Sequence, residues 1–304
     1  MSMGSGARAG GADLRVEWAL LALLALLWGS SYLFLKIAVT ELPPLTLIAL
    51  RVSGAAAFLL LVMALRGERL PRRRADWGLL FVQSLLNATL AWTLLAWGQR
   101  HVEAGLASVL NSTSPIFVFL FTALITRHEP APPRKLLGAL LGLTGVGLIV
   151  GLDALEGLGR GVLAQLACLA SAMLYAAAAI WGRRFGHLSA TATAAGTMLC
   201  AAGALVPAAL LLEAPWRLSP SAAALGAAAA LSILCTGVAL LIYFRLVRTL
   251  GSLGVASQAY LRAGVGVALG MVVLGEAFSA VTGLGLIAAM LGVALINWPA
   301  RRAG

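Results

Sequence analysis

A chain of 304 residues that is 61% hydrophobic and only 11% charged cannot cover a globule with polar surface; a soluble domain of this size needs about a quarter of its residues charged. Soluble folds are thereby excluded, and the net charge of +11 is read as basic loops of a membrane protein, not as a nucleic-acid surface. Cys168, Cys200 and Cys235 all lie in apolar runs, which gives neither a disulfide framework nor a metal-ligand spacing.

Residues 1–15 are rich in Gly and Ala and are expected to form a disordered cytoplasmic tail. No small-residue cleavage site follows the first apolar run, which is therefore read as a mature helix. Ten spans are predicted, at 18–37, 44–65, 76–98, 104–126, 135–151, 158–181, 190–213, 220–244, 253–275 and 280–298, mostly of the length that crosses hydrocarbon. Span 1 carries Trp28 near its middle. Span 2 carries Arg51, seven residues past Pro44, from where its side chain is expected to snorkel to the near surface. Span 3 holds Gln83, Asn87 and Trp92, and span 6 holds Tyr175.

Spans 4 and 9 carry the sharpest features. Asn111-Ser112-Thr113-Ser114-Pro115 is a polar island in an apolar run, and Gln258-Ala259-Tyr260-Leu261-Arg262 is another at the matching place. A guanidinium ten residues deep is costly in lipid, so Arg262 is expected to face a wet cavity as counter-ion to a substrate carboxylate. The two islands are read as facing each other across that cavity. Pro115 removes the helical partner of the Asn111 carbonyl, which marks Asn111 as a substrate contact. Thr113, Gln83, Asn87 and Gln258 supply further hydrogen-bonding groups, and Trp28, Trp92, Tyr175 and Tyr260 supply rings for an aromatic or thioether body. Each also has a plainer use, in interhelical hydrogen bonds or packing.

Lys and Arg divide unevenly: sixteen lie in one set of regions between spans and four in the other, with Arg51 and Arg262 inside spans. That asymmetry places both termini in the cytoplasm. The halves also repeat. Trp28 and Lys36 match Tyr175 and Arg183, Glu129, Gly138 and Gly145 match Glu276, Gly285 and Gly292, and Ala107-Ser108 match Ala256-Ser257, all at offsets of 147 to 149 residues. Five spans per half is an odd number, so the second half (152–298) enters the membrane inverted relative to the first (16–151), the plan of secondary transporters. Residues 299–304 form a short cytoplasmic tail.

With Trp28 to Ser31 in span 1, the Pro115-to-Glu129 spacing at span 4 and Leu274-Gly275-Glu276 closing span 9, the chain resembles the EamA group of the drug/metabolite transporter superfamily. The resemblance covers about residues 16–298. Within that group it looks most like the YddG-like exporters of aromatic amino acids, although the proline usual in span 9 is missing around Ala263-Gly264. The fold implied is an all-α integral membrane protein with ten transmembrane helices in two inverted five-helix repeats. The function implied is export of neutral, bulky amino acids across the inner membrane.

Every acid lies at a span end or in a loop, so no mid-depth carboxylate serves a lipophilic cation or a proton relay. No nucleotide-binding loop, metal cluster or nucleophile–base set is present, and no cofactor or ATPase partner is expected. The partners expected are a small-molecule substrate and membrane lipid, with no nucleic acid. A nucleotide-sugar or other metabolite carrier is the nearest alternative and would need more cavity cations. An intramembrane lipid-modifying enzyme is the alternative outside transport and would need acids, metal ligands or histidines near one face.

Overall fold

The computed structural model describes residues 14–125, 133–155, 160–249, 258–277 and 280–297. The N-terminal and C-terminal tails, Glu129 and Ala256-Ser257 lie outside the described residues. The architecture is helical throughout these segments. The elements are α1 (Leu14–Val39), α2 (Pro44–Leu65), α3 (Arg74–Gln99), α4 (Ala104–Ala123), α5 (Pro133–Leu155), α6 (Arg160–Trp181), α7 (Ala190–Leu212), α8 (Ala222–Val247), α9 (Gln258–Leu274) and α10 (Ala280–Asn297). Seven of them are long and apolar enough to cross a membrane; α9 and α10 contain shorter apolar stretches, Leu261–Leu274 and Gly283–Ile296. The predicted span over 135–151 falls on α5.

Local chemistry sets the ends. Pro44 opens α2, where its missing N–H costs nothing. Ser189 and Ser221 cap α7 and α8 by accepting from the N–H groups of Ala192 and Ala224. Gly67 and Gly275, with φ of +65° and +69°, end α2 and α9 in the left-handed turn that glycine takes without strain. Inside α4 the chain leaves the α-helix at Thr113, just before Pro115. Two helices widen to a π-turn at mid-length, α3 at Leu85–Thr89 and α8 at Ile233–Val238.

Hydrocarbon gives little drive for helix association, so the bundle depends on close packing. The tightest seam joins α5 and α10. A Cβ on Gly145 would lie 2.5 Å from the Ala289 nitrogen, and one on Gly138 would lie 2.8 Å from the Gly292 carbonyl oxygen. The contacts run antiparallel, and they explain the glycines that the sequence repeats. Elsewhere α2 lies along α7, α1 along α9, α3 along α6 and α4 along α9. Leu61, Leu140, Leu211, Val272 and Leu284 stay exposed on the outside, as lipid-facing side chains do.

The two ends of the bundle differ. At the end where α1 stops and α2, α4 and α8 begin, three carboxylates reach from one half of the chain to helix starts in the other. Glu213 accepts from the Leu45 N–H (3.0 Å), the Thr46 N–H (2.6 Å) and the Thr46 hydroxyl (2.7 Å). Glu276 accepts from the N–H groups of Ala104 (2.5 Å) and Gly105 (2.9 Å). Glu41 accepts from the Ser221 N–H and hydroxyl at 2.6 and 2.7 Å. Each places a negative charge on the positive end of a helix dipole. Lys36 adds two bonds at the same end, donating to the carbonyls of Gln99 (2.8 Å) and Val102 (2.7 Å). The opposite end, which bears the Arg-rich connections, holds a cavity of about 390 Å³ between α1, α2, α7 and α8.

Candidate substrate site

Arg51 carries the largest departure from expectation. It does not snorkel. Its residue is 5% exposed, its guanidinium carbon lies 3.8 Å from the centre of the Trp92 ring, and its Nε donates to the Thr236 hydroxyl at 3.0 Å. Distance along the helix permitted either outcome; what decides is that this side of α2 faces the bundle. The π-turn of α8 presents Thr236, whose hydroxyl also donates to the Leu231 carbonyl five residues back. The Arg51 backbone carbonyl in turn accepts from Ser232 (2.9 Å). Trp92 continues the chain of contacts, its indole N–H donating to the Tyr175 hydroxyl.

The second guanidinium enters from α9. Arg262 Nη2 reaches the Ser112 hydroxyl at a long 3.4 Å, and its Nε is buried without a hydrogen-bond partner. The two polar islands therefore do meet, but side chain to side chain. The void beside Ser112, lined also by Thr113 and Met290, holds only about 10 Å³, room for one water at most.

Asn111 is likewise committed within the protein. It accepts from the Tyr32 hydroxyl at 3.0 Å and donates to the Ser171 hydroxyl at 3.1 Å, with 1% of the residue exposed. Thr113 donates back to the Leu110 carbonyl of its own helix. Gln258 and Gln83 each keep a buried amide oxygen without a partner. Gln83 sits against Gly182, by the end of α6, not with the arginines. Asn87 is half-buried in the π-turn of α3. Trp28 packs against Tyr243 with centroids 5.4 Å apart, in an apolar cluster separate from the one that holds Trp92 and Tyr175. The Tyr260 side chain lies outside the described residues.

What assembles at mid-bundle is therefore Arg51, Arg262, Trp92, Tyr175, Tyr32 and Asn111. Both guanidiniums are close enough to the Tyr32 and Tyr175 hydroxyls to act on them electrostatically. Among the described residues neither arginine pairs with a carboxylate. Tyr32, Ser171 and Thr236 escaped the sequence reading. Tyr32 was the findable one, one helical turn past Trp28; Thr236 depends on a π-turn that no residue pattern announces.

A helical bundle that holds one buried and one half-buried guanidinium between its halves, with apolar surface outside, is a multi-pass membrane protein with a polar site at mid-bundle. The model of the EamA-like transporter family matches residues 16–151 and again 162–298, so the chain belongs to that family of small-molecule transporters. It is 28% identical over 276 residues to the Escherichia coli K12 protein "Uncharacterized inner membrane transporter YedA", covering 90% of this chain and 88% of the relative. It is 32% identical over 252 residues to an "Uncharacterized transporter" of Archaeoglobus fulgidus, covering 80% and 83%. A solved crystal structure superposes with a TM-score of 0.65 at 22% identity, over 95% of this chain and 99% of that one, a likeness of fold. None of these names a substrate, so the narrower YddG-like assignment gains no support from them.

Proposed function

We propose that the protein is a secondary transporter that exports a small carboxylate-bearing metabolite across the inner membrane by alternating access. The observation that carries this reading is the pair of arginines at mid-bundle. Among the described residues Arg51 donates one N–H to Thr236 and neither arginine meets a carboxylate, while Arg262 makes one long bond. A guanidinium fork matches a carboxylate in two parallel hydrogen bonds, a geometry lysine does not offer. The rings of Trp92 and Tyr175 offer a flat apolar surface beside it. Bulky neutral amino acids, the solutes expected from the sequence, carry the required carboxylate.

The transport cycle follows from the two ends. The cavity at the basic end admits solute from the cytoplasm, where the charge asymmetry puts both termini. The carboxylate caps hold the other end shut. Ten helices in two oppositely inserted halves then rock about the arginines; the antiparallel glycine seam of α5 and α10 and the double family match support that plan.

Counterflow in liposomes tests the reading. Purified protein should exchange a labelled neutral amino acid or another small carboxylate, and Arg51→Ala or Arg262→Ala should cut that flux at least about tenfold without loss of fold. Unchanged flux in both variants removes the arginines from the site, and no flux with any carboxylate removes the function.

A further inference from the structure

From the charge balance around Arg51 and Arg262 we infer that the site prefers a net-negative solute, a carboxylate without a compensating ammonium, over the zwitterion of the same shape. This rests on the carrier reading above and narrows its substrate.

The acids with described side chains lie at the two ends of the bundle, all but Glu103 in hydrogen bonds; Glu103 stands at the start of α4 beside Lys36 and Glu276. Glu41, Glu213 and Glu276 cap helix starts at one end. At the other, Glu17 binds Arg245 and Thr249, Asp76 binds His187, and Glu68 binds Ser189. Around Arg51 the electrostatic neighbours are Tyr175, Cys235 and Tyr32, a set with no carboxylate. The lining of the 390 Å³ cavity adds Arg66 and Arg245 and no acid. Arg245 is paired with Glu17, so a solute entering from that end meets Arg66 at the rim and the two arginines at the site.

Two guanidiniums without a carboxylate partner among the described residues, Arg51 buried and Arg262 half-buried, carry a desolvation cost that an incoming anion offsets more fully than a ring or a hydroxyl does. A zwitterion offsets it poorly, because its ammonium arrives beside the same guanidiniums. Neutral acceptors without a partner stand one helical turn before Arg262 and before Trp92: the amide oxygen of Gln258 and the hydroxyl oxygen of Thr89. A neutral acceptor gives a weaker bond than a carboxylate and leaves the like-charge repulsion in place.

The test uses two isosteric sets: 3-phenylpropionate, phenylalanine and phenethylamine, then hexanoate and norleucine. Ligand-induced rise in Tm is titrated in detergent at pH 7.5 and constant ionic strength, and gives an apparent Kd for each. Each anion should bind at least about tenfold more tightly than its zwitterion, and the amine should not bind. Arg51→Gln and Arg262→Gln should bring anion and zwitterion within about threefold, while Arg51→Lys, which keeps the charge, retains the preference. The ligand-free Tm of each variant reports folding. Equal or tighter binding of phenylalanine or norleucine overturns the inference and leaves the carrier standing. Binding of the amine alone overturns both. No binding by any carboxylate overturns the inference, and counterflow with the same solutes then decides the carrier reading separately.

Discussion

Arg51 is held where it is useful at the expense of where it is comfortable. A charge that is 5% exposed, stacked on Trp92 and bonded once to Thr236, is stabilised far less than it would be in water. Replacing it with Met, of similar volume and no charge, should therefore raise stability by about 1–3 kcal/mol while abolishing transport. Unfolding in SDS-containing micelles measures the first and counterflow the second; a less stable, inactive Arg51→Met protein would mean the guanidinium is structural. Arg262 was legible because it stands about ten residues into a predominantly apolar run, too deep to reach the surface. Arg51 was not, because α2 is apolar on every side and nothing in its sequence says which side meets the other helices.

At the scale of elements, the helix seams were readable and their exact partners were not. Gly138, Gly142, Gly145 and Gly292 announce close approach, and the approach is between α5 and α10. A methyl on Gly292 would lie 2.5 Å from the Gly138 carbonyl oxygen, a contact that flexible side chains cannot relieve because it is backbone on both sides. Gly292→Ala should cost about 1–3 kcal/mol by forcing the helices apart. Gly147, which meets nothing, is the control: Gly147→Ala should be neutral or slightly stabilising in the same unfolding assay. The π-turns at Leu85 and Ile233 start 148 residues apart, within the offset found in the sequence, yet a π-turn leaves no residue signature and only coordinates locate it.

For the molecule as a whole, the caps made by Glu213, Glu276 and Glu41 close one end by joining segments about 170 to 180 residues apart in the chain. The acids were visible as helix-end residues; their partners were not, since nothing local links Glu213 to Thr46. If the three caps act as one latch, Glu213→Ala should speed hydrogen–deuterium exchange not only at Leu45 and Thr46 but also at Ala104, Gly105 and Ser221. Faster exchange confined to Leu45 and Thr46 would show three independent caps. Acid should act in the same direction. The Ser221 hydroxyl and N–H hold the Glu41 carboxyl below its ordinary range. A carboxyl lowered in the folded state stabilises above its unfolded pKa, and that stabilisation is lost as pH falls through the folded value. Exchange at Ser221 should accordingly rise only well into acid, and Glu41→Gln should flatten that dependence.

The unmatched arginines also bear on the kinetics. In the carrier proposed above, a change of sides passes through a shape in which neither end admits water. With an anion in place the two charges cross that shape partly neutralised; with nothing bound they cross it bare, and the barrier is higher. The return of the unloaded protein is then the slow step, and swapping one solute for another outpaces one-way release. In a cell, such a protein would empty the cytoplasm of one acid most readily when another waits outside.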